Sequence, residues 1–288
     1  MIYSSRQLKD LIRNLSKEVE IEPYVLIRKY MMERFLERVS KSKYNGSFIL
    51  KGGMLVSAFV GIESRATMDI DTTIKGIPVT ITEMKRMITE ISEIYLEDNV
   101  NFRIKKVSEI MDEMEYTGIR FSMEAVMDGA IIPLKIDIST GDVITPGEIS
   151  YSYKLMFEDR TIPIMTYPVE TILAEKLETV ISRSITNTRM RDFYDIHILL
   201  QLHKIDYDIF AIALERTAKQ RESLPLLENA ENVLNAVKSS DDMKKMWITY
   251  QKKFRYASVY TWDDMMLSVR KLSLEAKLNV KSPSNLEN

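Results

Sequence analysis

The sequence predicts an α+β protein, with a mixed β-sheet in the middle of the chain, flanking helices and a C-terminal helical lobe, giving a bilobed whole. Three observations carry this expectation. Apolar residues recur at helical spacing up to about residue 45. Between Ser47 and about Ile164 the pattern changes to short runs rich in Ile, Val, Phe and Tyr, which read as strands. From Pro168 onward the helical spacing returns. Pro168 marks the sharpest break, because it disfavours helical geometry in Tyr167 and suits the first turn of a following helix. Three segments are expected: helices over 1–45 that pack on the central domain, the central domain over 46–167, and a helical domain over 168–288.

Taken in order, Leu8, Leu11, Ile12 and Leu15 form the stripe of a first helix, and Tyr24, Ile27, Met31, Phe35 and Leu36 that of a second. Ser47 to Leu50 reads as a short buried strand, after which Gly52-Gly53 lets the backbone turn into a helix running to about Val60. Met68 to Ile74 has period two, and a helix follows from about Thr82 to Leu96. In Ile131 to Ser139, Ile132, Leu134, Ile136 and Ile138 alternate with Pro133, Lys135, Asp137 and Ser139, as in a strand with one polar face. The C-terminal helices break near Asp206, Leu224-Pro225, Ser239 to Asp242 and Ser258 to Asp263, and the polar tail KSPSNLEN is expected to fray.

Composition narrows the class of function. The chain has 288 residues, 45% of them hydrophobic and 28% charged, and resembles ordinary globular proteins in both respects. Forty Lys and Arg against 42 Asp and Glu leave a net charge of −2, so no global basic field advertises nucleic acid. With no cysteine, disulfide scaffolds and thiolate zinc sites are excluded. No stretch has the apolar length of a membrane span or the pattern of a signal peptide, and a cytoplasmic protein is the simplest expectation. The 18 scattered methionines read as core filler.

The chemistry concentrates in LKGGMLVSAFVGIESRATMDID, residues 50–71. A strand, a Gly pair and a helix start present backbone N–H groups and a positive dipole end, which suits a phosphate but equally suits close packing. Asp69 and Asp71 leave a strand on one face, where their mutual repulsion calls for a divalent cation, Mg²⁺ or Mn²⁺, unless the face is simply solvated. Asp137 weighs on that choice: if its strand neighbours theirs, three carboxylates converge as in two-metal in-line displacement at phosphorus. Further along, Lys176 and Arg183 lie seven residues apart on one side of a helix, beside the stripe of Leu173, Leu177, Val180 and Ile181. Such cations are either snorkelling stems or ligands between two lobes. Asp192 and Asp195 open a helix, where an acid is a common cap. The two histidines, His197 and His203, have no partner at metal-ligand spacing. Lys244-Lys245 and Lys252-Lys253-Phe254-Arg255, interleaved with Trp247, Tyr250 and Tyr256, would suit a nucleic-acid backbone or be merely solvated.

The hydrophobic strand, Gly-Gly, Arg-x-Thr-x-Asp-hydrophobic-Asp and later hydrophobic-Asp-hydrophobic strand resemble the nucleotidyltransferase superfamily of DNA polymerase beta type. With YPVETILAEKLETVISRSITNTRMRDFYDIHILL, residues 167–200, the chain resembles more narrowly the AbiEii/AbiGii toxins of abortive-infection toxin–antitoxin systems, with landmarks over roughly residues 47–200. The resemblance makes 46–167 the nucleotidyltransferase domain. It implies Asp69, Asp71 and Asp137 as metal ligands, the last also helping to deprotonate the attacking hydroxyl. It implies nucleotide contacts from Lys51, Gly52, Gly53, Arg65, Thr67, Lys176, Arg183 and Asp195, with Lys176 catalytic and Asp195, with Asp192, supporting it. Arg65 has two readings, a phosphate ligand or a structural partner of the aspartates. Gly53 stands where many superfamily members have Ser, so the hydroxyl contact to a phosphate is missing. The implied activity is Mg²⁺- or Mn²⁺-dependent transfer of a nucleoside monophosphate from an NTP to RNA, such as tRNA, or to a protein hydroxyl, by a phage-defence toxin with a cognate antitoxin. The alternatives are a bilobed phosphotransferase, which lacks its glycine-rich and His-Arg-Asp loops here, and a non-catalytic nucleotide-binding module.

Overall fold

The computed structural model describes residues 2–110 and 118–280 and divides into two compact units, one of residues up to Gly141 plus Glu148–Tyr167, the other of Asp142–Gly147 and Pro168 onward. The tail expected to fray, 281–288, lies outside the described residues.

The first unit contains helices α1 (Ser5–Val19), α2 (Pro23–Lys41), α3 (Gly52–Val60) and α4 (Ile81–Ser92). Its strands are β1 (Phe48–Lys51), β2 (Ile70–Ile74), β3 (Asn101–Ile110), β4 (Gly118–Met127), β5 (Ala130–Ser139), β6 (Ile149–Lys154) and β7 (Thr161–Thr166). Among the described residues the strands form one sheet in the order β3-β4-β5-β2-β1-β7-β6. The pairs β2–β5 and β1–β7 are parallel and the others antiparallel, so the sheet is mixed as the sequence predicts. The turn between β4 and β5 is Asp128-Gly129, both with positive φ (47° and 78°), the type I′ geometry that this dipeptide favours. It fixes the register of the hairpin, and with it which residue faces Asp137.

Helix α1 is amphipathic: Leu8 and Ile12 of the expected stripe are buried, and Ser4 caps its first turn by accepting from the Gln7 N–H. Helix α2 departs from the expected single stripe. Tyr24 is exposed, whereas nearly every residue from Arg28 to Val39 is buried, including six charged ones. The reason is its position: α2 packs against β5, β7, α1 and α4, so it has no solvent face over that length. Its charges are therefore paired inside. Arg38 donates twice to Asp98 (2.8 and 2.9 Å) and to the Val100 carbonyl (2.7 Å). Arg34 pairs with Glu158 (2.9 Å) and Glu37 (3.0 Å), and Arg160 with Glu37 (2.7 Å) and Glu158 (2.6 Å). Breaking one partner of such a network strands a buried charge.

The second unit is helical: α5 (Val169–Arg183), α6 (Met190–Leu202), α7 (Tyr207–Gln220), α8 (Leu224–Glu228), α9 (Ala230–Ser239), α10 (Asp241–Lys253) and α11 (Trp262–Val280). Breaks fall near the four expected places, with Asp206 capping α7 by accepting from the Asp208 and Ile209 N–H groups, and a further, unexpected one at Asn229 separates α8 from α9. Leu173, Leu177, Val180 and Ile181 are buried, as their spacing on α5 requires.

Candidate active site

The Asp137 strand does lie beside the Asp71 strand. The registers set Lys51 opposite Asp71 across β1–β2, Asp71 opposite Asp137 across β2–β5, and Asp137 opposite Arg120 across β5–β4. Opposed residues share a face, so one row across four strands reads cation, anion, anion, cation. Two adjacent carboxylates in a row are unfavourable unless compensated. Asp71 bears the strain: burial, then the facing Asp137 charge, pushes its carboxyl above the ordinary range, against Lys51, while Asp69 adds to the push and the Gly53 N–H opposes it.

Asp137 is engaged differently. Arg120 donates to both its oxygens, Nε to Oδ1 at 2.7 Å and Nη2 to Oδ2 at 2.6 Å, a partly exposed bidentate pair. Asp69 precedes β2 by one residue and is partnered by Arg28 of α2, Nη2 to Oδ1 at 3.3 Å. The Arg28 side chain is only 9% exposed, and its Nε has no hydrogen-bond partner. Arg28 and Arg120 are the site residues that sequence reading overlooks. Arg120 has a legible signal, since counting back from the Asp128-Gly129 turn places it opposite Asp137. Arg28 lies 41 positions upstream of Asp69 on another element and leaves no local signal.

The Gly pair closes onto Asp71. Gly52 has φ +64°, and a Cβ there would lie 2.1 Å from Asp71 Oδ2, so glycine is required both by conformation and by space. The Gly53 N–H donates to the same oxygen at 3.3 Å. The missing serine at 53 now has a physical reason: a Cβ on Gly53 would meet Thr67 Oγ1 at 2.7 Å and Arg65 Nη2 at 3.3 Å. Arg65 is buried and donates to the Ala66 carbonyl, so Arg65 and Thr67 wall the turn where a serine side chain would project. Lys51, at the end of β1, sets its ammonium 5.6 Å from the centre of the Tyr167 ring, whose hydroxyl bonds Thr73 Oγ1 at 2.7 Å.

In the helical unit, Lys176 of α5 is clamped by two carboxylates of α6, Asp192 Oδ1 at 2.8 Å and Asp195 Oδ2 at 2.7 Å. Burial alone would lower its pKa, but the two carboxylates outweigh burial and hold the ammonium above its ordinary value. Asp192 and Asp195 therefore act alike on Lys176, and Asp192 also pairs with Arg189 at 3.1 Å. Arg183 is the last residue of α5 and is half-buried. His197 bonds Ser268 (2.8 Å) and Gln201 (2.9 Å), an ordinary packed histidine. The aromatic residues interleaved with the basic run turn inward: Trp247 is buried and stacks on Tyr250 (5.5 Å), and Tyr256 packs on Tyr194 (4.8 Å). Lys244 and Lys245 pair with Asp241 (3.1 Å) and Asp242 (3.4 Å) of their own helix.

The donors offered to a metal are carboxylate oxygens, the chemistry of Mg²⁺ or Mn²⁺. Among the described residues no group of three or more acidic, histidine or cysteine side chains is gathered closely enough to form a ready-made cage. The pair Asp71 and Asp137 nonetheless fits a divalent cation, which would relieve the repulsion that raises the Asp71 pKa. Arg120 engages both oxygens of Asp137, so a metal there competes with that pair, whereas Arg28 engages only Oδ1 of Asp69.

Comparison with known proteins agrees in fold. The family model described as "Nucleotidyl transferase AbiEii toxin, Type IV TA system" matches residues 34–266. No curated protein matches the chain. Among solved structures, JHP933 from Helicobacter pylori superposes with a TM-score of 0.54 at 15% identity, covering 91% of this chain and 95% of that one. A "putative nucleotidyltransferase" from H. pylori gives 0.48 at 15% identity, covering 92% and 100%.

Proposed function

The chain belongs to the AbiEii nucleotidyltransferase toxin family of type IV toxin–antitoxin systems, and from that premise we propose that it transfers a nucleoside monophosphate from an NTP to an acceptor hydroxyl at the row of Asp71 and Asp137. Asp69, Asp71 and Asp137 would hold Mg²⁺ or Mn²⁺, which when bound supplies charge stabilisation at the α-phosphorus and the departing pyrophosphate. A carboxylate oxygen of Asp137 takes the proton of the acceptor hydroxyl. Gly52 and Gly53 keep side chains away from Asp71, and Lys51, Arg65 and Thr67 border that turn as the polar groups available to the nucleotide. For Lys176, held by Asp192 and Asp195, and for Arg183, a nucleotide contact is implied by the family resemblance alone. The acceptor is RNA, such as tRNA, or a protein hydroxyl. A cognate antitoxin, a phage-defence role and a cytoplasmic site of action go with the family. No helix among the described residues is long and apolar enough to cross a membrane.

The observation that carries the reading is the register that sets Asp71 opposite Asp137 while the Gly turn closes on the same Asp71. The phosphotransferase alternative is set aside by family membership. The test is incubation of the protein with NTPs labelled at either the α or the γ phosphorus, total cellular RNA and Mg²⁺. Label carried onto RNA or protein from the α position is expected. Label from γ alone would reinstate a kinase, and nucleotide binding without any transfer would leave a non-catalytic module.

A further inference from the structure

Three acids at the site meet three bases. Arg28 holds Asp69, Arg120 holds both oxygens of Asp137, and Lys51 stands opposite Asp71. In the free protein the carboxylates are thus largely neutralised before any metal arrives. A divalent ion entering alone at Asp137 competes with the Arg120 guanidinium for both oxygens and sets its charge beside that cation. Arg28 is the sharper case. It is nine-tenths buried, has an unpartnered Nε, and precedes the segment that the family model matches. A buried guanidinium with a spare donor is incompletely satisfied, and a phosphate oxygen is the acceptor it is shaped to take. Mg²⁺ in such sites is typically held by one or two carboxylates plus substrate phosphates, not by protein alone.

We propose that Arg28 and Arg120 are exchangeable counter-ions: each holds a metal-ligand carboxylate in the free protein and passes to the triphosphate when nucleotide and metal enter together. Metal binding is then conditional on nucleotide, with the two arginines as positioning residues that couple the ligands. The inference rests on the nucleotidyl-transfer reading of the carboxylates. Its sign is specific. Removing Arg120 frees Asp137 for the metal but withdraws a phosphate contact, so metal affinity of the free protein rises while affinity for the metal–nucleotide pair falls.

The test is Mn²⁺ titration followed by electron paramagnetic resonance, with and without the α,β-methylene analogues of ATP, CTP, GTP and UTP, each tried singly. For the wild type, a bound analogue is expected to tighten Mn²⁺ by roughly tenfold or more, within the usual range of coupling between sites. Arg120→Gln is expected to bind Mn²⁺ at least about fivefold tighter than wild type without analogue, and to lose most of the tightening that analogue brings. Arg28→Lys keeps a buried cation but loses the fork, and is expected to reduce the coupling without unfolding, checked by thermal denaturation. Equal Mn²⁺ affinity for wild type and Arg120→Gln in the absence of nucleotide would overturn the proposal while α-label transfer persists. If no analogue and no Mn²⁺ bind to folded wild-type protein, the nucleotidyl-transfer reading fails and this inference fails with it.

Discussion

The ion pairs of α2 and those of the carboxylate row are built from the same residue types in the same unit, yet they are wired differently. Between Arg34 and Arg38 of α2 each charge has several partners and almost no exposure: Arg38 and Asp98 are 2% and 1% exposed, and Arg38 also holds two backbone carbonyls. At the row the Arg120–Asp137 pair is partly open, with Arg120 39% and Asp137 20% exposed. A dry pair held from several sides is costly to break. A partly exposed pair can trade its partner for an incoming anion at small cost, since screened pairs contribute little. The contrast separates charges that hold the fold from charges that are available to a ligand.

The strongest way to break that contrast is to truncate one member of each network. Arg38→Ala leaves Asp98 buried without a counter-ion and is expected to cost about 3–5 kcal/mol, or roughly 10 °C in Tm, by thermal denaturation. Arg120→Gln is expected to cost under about 1 kcal/mol by the same measurement. Comparable losses would show that the two networks do the same work. The Gly turn gives an intermediate effect. Gly53→Ser places a Cβ against Thr67 Oγ1 and is expected to cost about 1–3 kcal/mol, most of it recovered in Gly53→Ser/Thr67→Ala. Simple additivity of the two changes would show that Thr67 is not what excludes the serine.

The smallest effect is a titration in the helical unit. Burial pushes His197 below its ordinary value, against the pull of Asp264. Well above about pH 6.5 the imidazole is neutral in both folded and unfolded chains and its contribution is complete. As pH falls below that, the unfolded chain binds a proton that the folded one resists, so stability declines toward the lower folded pKa. Between pH 6.5 and 5.5 the wild-type Tm should fall more than that of His197→Gln, by the equivalent of under about 1 kcal/mol. Parallel curves would remove histidine from the account.

How far these features were legible depended on whether they are local. Period-two and helical stripes disclose strands and helices because burial repeats along the chain, and the Gly pair and Asp69-x-Asp71 announce themselves within one segment. Asp137 was readable as a strand residue, but its place beside Asp71 follows from parallel pairing between strands 66 positions apart, which no local pattern encodes. Arg120 was within reach through the turn at Asp128-Gly129. Arg28 was not, because a helix stripe shows which face is buried and α2 buries every face over most of its length. The same burial explains why charged Arg34, Glu37 and Arg38 look like a solvent face in sequence and are core in the fold.

The most direct test of the central claim is α-label transfer by Asp71→Asn beside wild type, with Tm measured on both. The account predicts a protein that folds with a Tm no lower than wild type, because a half-buried carboxylate repelled by Asp137 has been replaced by a neutral isostere, and a loss of label transfer of at least about a hundredfold. Transfer at the wild-type rate by a folded Asp71→Asn protein would contradict it.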